Sequence, residues 1–172
     1  MVEEKTYQSI RSILESVVDP EIPVLTIADL GILRKIKIVQ DPADPTKEKI
    51  NVTITPTYSG CPAMDLISTQ IRMALLENGY SSHEIITQLS PAWTTDWMTE
   101  DGKQKLKAYG IAPPVVKVAT CSAMEADEQM NIQCPHCGSY HTELISRFGS
   151  TACKALYQCK QCLEPFDYFK CH

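Results

Sequence analysis

The sequence predicts an α+β domain followed by a small β module anchored by cysteines. Three observations carry this. Apolar residues recur at helical spacing between Tyr7 and Val17, apolar and polar residues alternate at 36–38 and 50–54, and two C-x-x-C pairs occupy 134–137 and 159–162. The expected boundaries are a first domain at 1–114, a linker at 115–128 and the cysteine module at 129–172. A chain of 172 residues fits one ordinary domain plus a small module that needs extra help to fold.

Tyr7, Ile10, Leu14 and Val17 form one stripe on a helix that Asp19-Pro20 is expected to stop. Ile36 and Ile38 alternate with Lys35 and Lys37, and Ile50, Val52 and Ile54 alternate with Asn51 and Thr53. That period of two predicts a hairpin with one buried face, joined through the turn-rich Asp41-Pro42-Ala43-Asp44-Pro45. A second helix begins near Pro62, turns Ile67, Ile71, Ala74 and Leu75 inward, and ends at Asn78-Gly79. A strand at 84–89 and a shorter helix at 97–109, stopped by Gly110, complete the first domain before Pro113-Pro114. Within 115–130 only 115–118 has strand character, as an edge. In the cysteine module, strands are predicted at 143–148, 155–158 and 166–169.

With 44% hydrophobic and 22% charged residues, the composition excludes a disordered chain. The formal net charge of -5 arises in the first part: residues 129–172 hold 4 basic and 3 acidic side chains, leaving 12 and 18 before them. Neither part offers the basic face that a phosphate backbone requires, so nucleic acid is not an expected partner. No apolar run reaches the roughly 18 residues of a spanning helix and no secretory leader is recognisable, so neither membrane insertion nor export is expected and a cytoplasmic location is expected. Eight cysteines in a reducing compartment, four of them in C-x-x-C pairs, point to metal rather than to disulfides.

The chemistry of the second part follows from spacing. Cys134-Pro135-His136-Cys137 and Cys159-Lys160-Gln161-Cys162 stand 21 residues apart, and two residues between cysteines let one tight turn aim both sulfurs at a single ion. Two such turns supply the tetrahedral thiolate set of structural zinc, so Cys134, Cys137, Cys159 and Cys162 are the expected ligands of a zinc ribbon. Gly138 suits a left-handed exit from the first turn. The rival is rubredoxin-like iron in an electron-transfer module, whose turns carry glycine after each second cysteine; Leu163 holds that place in the second turn. Cys153, Cys171, His136, His141 and His172 are spare donors with packing or surface roles expected, and a closed four-thiolate site leaves no position for substrate.

In the first part, Thr55-Pro56-Thr57-Tyr58-Ser59-Gly60-Cys61-Pro62 runs from a strand into a helix, with Cys61 at or near the N-cap and Pro62 at N1. Backbone N–H groups and the helix dipole there favour thiolate over thiol, so a depressed Cys61 pKa is expected. A small packed cysteine is the alternative reading. Asp19, Glu21 and Asp29 are near enough in sequence to the first strand to approach the same face, with capping or solvation as their expected role. No Glu-x-x-His and no G-x-G-x-x-G motif occurs, so neither a di-iron nor a dinucleotide site is expected and the chain is not expected to be catalytic alone.

Asp19-Pro20-Glu21-Ile22-Pro23-Val24, Asp29-Leu30-Gly31-Ile32 and the segment from Thr55 to Pro62 resemble the iron–sulfur cluster assembly domain family, over roughly residues 5–110. Trp93-Thr94-Thr95-Asp96-Trp97-Met98, Tyr109-Gly110-Ile111-Ala112-Pro113-Pro114 and Glu164-Pro165-Phe166-Asp167-Tyr168-Phe169-Lys170, with the ribbon, resemble the PaaD family of phenylacetyl-CoA epoxidase systems. The resemblance implies an accessory or maturation role in aerobic phenylacetate catabolism, beside oxygenase and reductase subunits, with a second copy of the chain as a further candidate partner. It implies that Cys61 is the reactive cysteine, transiently holding iron or an iron–sulfur cluster during transfer. A purely structural role in the oxygenase complex is the remaining alternative.

Overall fold

The computed structural model describes residues 2–42, 44–114 and 132–170, in two compact units, Met1–Trp93 and Thr94–His172. The expected α+β architecture followed by a small β module is present. Helix α1 spans Val2–Glu15 and buries Ile10 and Leu14 completely. It ends four residues before Asp19: a tighter turn, Val17 N–H to Leu14 O at 3.2 Å, carries Val17 into the core beyond the helix.

Strands β1 (Leu33–Gln40) and β2 (Glu48–Ile54) form the expected antiparallel hairpin, with Ile36 opposite Val52 and Ile38 opposite Ile50. Helix α2 (Ala63–Glu77) turns Ile67, Ile71 and Leu75 onto the sheet, and Gly79 ends it at φ +86°. Strand β3 (His83–Thr87) then pairs parallel to β2, Val52 beside Ile85, giving the order β1-β2-β3. A parallel neighbour cannot be reached by a tight turn, so α2 is the crossover that this pairing requires. Trp93 closes the unit, its indole N–H donating to Leu30 O at 2.8 Å.

In the second unit the expected helix at 97–109 is two pieces. Thr95–Trp97 forms one 3-10 turn, Met98 is extended, and α3 runs Glu100–Tyr109. The break has a local cause: the Thr99 hydroxyl accepts the Gly102 N–H at 2.9 Å and takes the N-cap, which needs extended backbone. Gly110 ends α3 at φ +93°. Strands β4 (Thr142–Ser146), β5 (Lys154–Cys159) and β6 (Pro165–Phe169) form an antiparallel sheet in that order. Ala112 adds a single bridge beside β6, donating to Asp167 O at 2.8 Å and accepting from Phe169 at 2.9 Å. Helix α3 and its tail are therefore grouped with the ribbon rather than with the preceding unit. The edge strand expected at 115–118 lies outside the described residues.

The first unit's core is aliphatic and tightly enclosed. Ile71→Ala removes a fully buried side chain from the crossover helix and should cost about 2–5 kcal/mol, read as a lower urea midpoint by tryptophan fluorescence.

Candidate metal centre and thiol site

The ribbon's core is a cluster of Ala112, Ile132, Cys134, Ala155, Tyr157, Cys159, Phe166 and Tyr168, with Cys162 packed against it. Tyr157 stacks on Phe166 at 5.9 Å and meets Tyr168 edge-on at 5.7 Å. Two of the eight core residues are cysteines, so a module this small is completed by its sulfurs. All four of Cys134, Cys137, Cys159 and Cys162 bring their sulfurs within 4.8 Å of one another, and among the described residues they are the only such group. A tetrahedral thiolate site with bonds of about 2.3 Å sets sulfurs about 3.8 Å apart. Cys134 lies 3.8 Å from Cys162 and Cys137 lies 3.5 Å from Cys159, so the donor set fits a four-thiolate metal ion.

The protonation of the set makes the same point. Cys159 is lowered to about 6, chiefly by the backbone N–H of Cys162 and then by that of Gln161 working against burial. Cys162 also receives the Glu164 backbone N–H, yet burial and the neighbouring sulfurs push it up to about 12. Cys137 is raised as well. Four adjacent sulfurs cannot all ionise without a cation among them.

Gly138 leaves the first knuckle at φ +75°, as expected. Leu163 leaves the second at φ +66° although it has a side chain, and that side chain is 68% exposed. The two knuckles thus share one shape, with glycine at one exit and a strained leucine at the other. Of the spare donors, His136 and His141 are exposed and outside the cluster, and Cys153 is buried with Thr151 Oγ1 3.0 Å from its sulfur. Cys171 and His172 lie outside the described residues.

Cys61 is half-buried and directly precedes Pro62, which is the N-cap of α2 rather than its first helical residue. Its carbonyl accepts the Met64 N–H at 3.3 Å, and its own N–H donates to Tyr58 O at 3.1 Å. The hairpin register explains what surrounds it. Leu33 pairs with Ile54, so the chain entering β1 and the chain leaving β2 run side by side, tied by Thr55 N–H to Ile32 O at 3.0 Å. Asp19 and Glu21 thereby come close enough to act electrostatically on Cys61, while Thr57 hydrogen-bonds its sulfur. Asp19 caps its own turn, accepting the Glu21 and Ile22 N–H groups at 2.8 Å each, and Asp29 exchanges bonds with Thr26 at 3.0 Å.

The expected depression of the Cys61 pKa is not found. Burial raises it, outweighing the Ala63 N–H and the Thr57 hydroxyl that lower it, and Glu21 and Asp19 raise it further. The helix start supplies one donor to the sulfur, too little to offset lost hydration beside two carboxylates.

Residues 7–79 match the family described as iron-sulfur cluster assembly protein, and residues 119–170 match the PaaD zinc beta ribbon domain. An Escherichia coli (strain K12) protein, named as a putative component of 1,2-phenylacetyl-CoA epoxidase, is 49% identical over 160 residues, covering 93% of this chain and 90% of that one. The chain belongs to the PaaD family. A Porphyromonas gingivalis (strain ATCC BAA-308 / W83) "Fe-S protein maturation auxiliary factor" is 32% identical over 59% of this chain and 91% of that one. A solved domain of unknown function from Bacillus anthracis shares the fold at TM-score 0.52 and 24% identity, over 60% of this chain and 92% of that one.

Two outcomes are expected. Leu163→Gly relieves the left-handed strain while losing little buried surface and should leave ribbon stability unchanged or raised by up to about 1 kcal/mol, measured by thermal unfolding of the metal-loaded protein. For Cys61, alkylation followed by peptide mass mapping should give a pH midpoint above the free-thiol value of about 8.5. The raised pKa means the folded state holds this proton more tightly, so its contribution to stability is fully present below the free-thiol pKa and is lost as pH rises from there through the folded-state pKa.

Proposed function

We propose that the chain is an accessory maturation factor of a phenylacetyl-CoA epoxidase system, in which Cys61 transiently ligates iron or an iron–sulfur cluster on its way to a client protein. The names of the relatives support the accessory role, and the thiol site supports the mechanism. The observation that carries it is the setting of Cys61: a half-buried sulfur in a hydrogen-bonded turn, with Thr57 on the sulfur and the charges of Asp19 and Glu21 acting on it. Such a thiol is protonated at rest. An arriving cation displaces the proton, Fe²⁺ + RSH giving RS–Fe⁺ + H⁺, and the nearby carboxylates that disfavour a bare thiolate favour the cation. One thiolate cannot hold a cluster that takes four donors, so the remaining ligands come from the client or from a second copy. Weak holding by a single donor suits transfer.

The ribbon is read as a structural zinc module through Cys134, Cys137, Cys159 and Cys162. The proposed partners are the oxygenase and reductase subunits, and no helix among the described residues is long and apolar enough to cross a membrane. One observation keeps the electron-transfer alternative open. The left-handed Leu163 gives the second knuckle the exit that rubredoxin-like sites build with glycine, so knuckle shape does not discriminate against iron. Metal analysis decides: about one zinc in a colourless protein supports the structural reading, and stoichiometric iron with a thiolate-to-iron absorption band overturns it.

The transfer mechanism is tested in cells with Cys61→Ser, a near-isosteric change at a half-buried position. The expected result is an intact fold, seen by circular dichroism, with active-metal content of the oxygenase or reductase falling to the level found without this protein. Full metal content beside a folded mutant would sink the mechanism, and preserved complex assembly in that mutant separates it from a purely structural role.

A further inference from the structure

The sequence pairs Cys134 with Cys137 and Cys159 with Cys162. In space the sulfurs also meet across the knuckles, Cys137 at 3.5 Å from Cys159 and Cys134 at 3.8 Å from Cys162. We propose that hydrogen peroxide oxidises this centre across the knuckles, joining Cys137 to Cys159 and Cys134 to Cys162, so that the metal leaves while the two halves of the ribbon stay linked. The inference rests on the metal-site reading of the ribbon given above.

Access and geometry both favour this order. Cys137 is exposed, whereas Cys134 and Cys159 are buried and Cys162 is intermediate, so peroxide reaches Cys137 first. Its sulfur attacks one peroxide oxygen and becomes a sulfenic acid, releasing the other oxygen as water. The Cys159 sulfur then displaces the hydroxyl, which departs as a second water on taking up a proton. Two metal-bound thiolates, one peroxide and two protons from solvent thus give one disulfide and two waters, with two electrons passing from sulfur to oxygen. A disulfide requires sulfurs at about 2.05 Å, so each cross pair closes by less than about 2 Å. Cys159 is already held in place, its sulfur accepting the Gln161 and Cys162 N–H groups at 3.4 and 3.5 Å.

Gly138 N–H donates to Cys134 O and Cys134 N–H to Ser139 O, both at 2.9 Å, and this frame directs both sulfurs to a common centre. Oxidation of the second pair consumes another peroxide and removes the last donors, so the ion is released. Intra-knuckle bonds leave the knuckles unconnected once the ion has gone. Cross-knuckle bonds replace the metal as the tie between them, and β4–β6 survive its loss.

The test treats the full-length metal-loaded protein with hydrogen peroxide, follows released zinc with a colorimetric chelator, blocks remaining thiols, and maps the tryptic peptides without reduction. Cleavage after Lys160 separates Cys159 from Cys162, whereas Cys134 and Cys137 stay on one peptide. The expected product joins that peptide to both others, with fragmentation giving 137–159 and 134–162, about one zinc released per chain, and ribbon strands retained by circular dichroism. Dithiothreitol with added zinc should restore the starting state. Bonds within each knuckle, sulfinic acids in place of disulfides, or loss of strand signal on oxidation would each overturn the proposal. If the untreated protein carries no metal, the metal reading fails on its own, and the same peptide map of that protein still decides the pairing.

Discussion

Strand β2 is the constraint on which the first unit depends. It is paired on both sides, antiparallel to β1 and parallel to β3, with Ile50, Val52 and Ile54 almost wholly buried. The parallel partner forces the chain out of the sheet after Ile54 and back through α2, so residues 55–62 must cross the exit end of the central strand. The antiparallel partner fixes what lies beside that crossing. Because Leu33 is opposite Ile54, the turns at 19–32 are delivered to the same end. Cys61, Thr57, Asp19 and Glu21 come from segments distant in sequence, and the strand register makes them neighbours.

The second unit depends on a different economy. Its sheet has three short strands, and sulfur or alanine occupies half of its core positions, Ala112, Cys134, Ala155 and Cys159, where large apolar side chains would otherwise sit. Hydrophobic burial on that scale leaves a marginal module, so the convergence of four sulfurs on one point has to contribute folding free energy rather than merely decorate a finished fold. The aromatic stack of Tyr157 on Phe166 and the Ala112 bridge beside β6 extend what packing the ribbon has.

The elements whose period is set by one buried face were legible in the sequence: the stripe at Ile10 and Leu14, the alternation at 36–38 and 50–54, and the inward row Ile67, Ile71, Leu75. So was the gathering of the four cysteines, because C-x-x-C spacing encodes a turn. Features governed by partners distant in sequence were not. The parallel pairing of β3 leaves no mark on 83–87, the Ala112 bridge is one residue long, and the end of α1 before Asp19 depends on a tightened last turn. A cue for Thr99 as N-cap is present in the sequence, Thr followed by the acidic Glu100 and Asp101 of a first helical turn. The direction of the Cys61 pKa is not legible in the sequence because a helix terminus is a local feature, whereas burial and the Glu21 and Asp19 charges come from the fold.

The protonated state of Cys61 has a consequence for chemical selectivity. Electrophiles and oxidants consume thiolates far faster than thiols. Burial and flanking negative charge hold the proton on Cys61, which slows its reaction with neutral reagents; in the proposed transfer role the same sulfur would yield that proton to a cation. In that role, discrimination between a metal ion and an alkylating or oxidising molecule would be set by charge rather than by size.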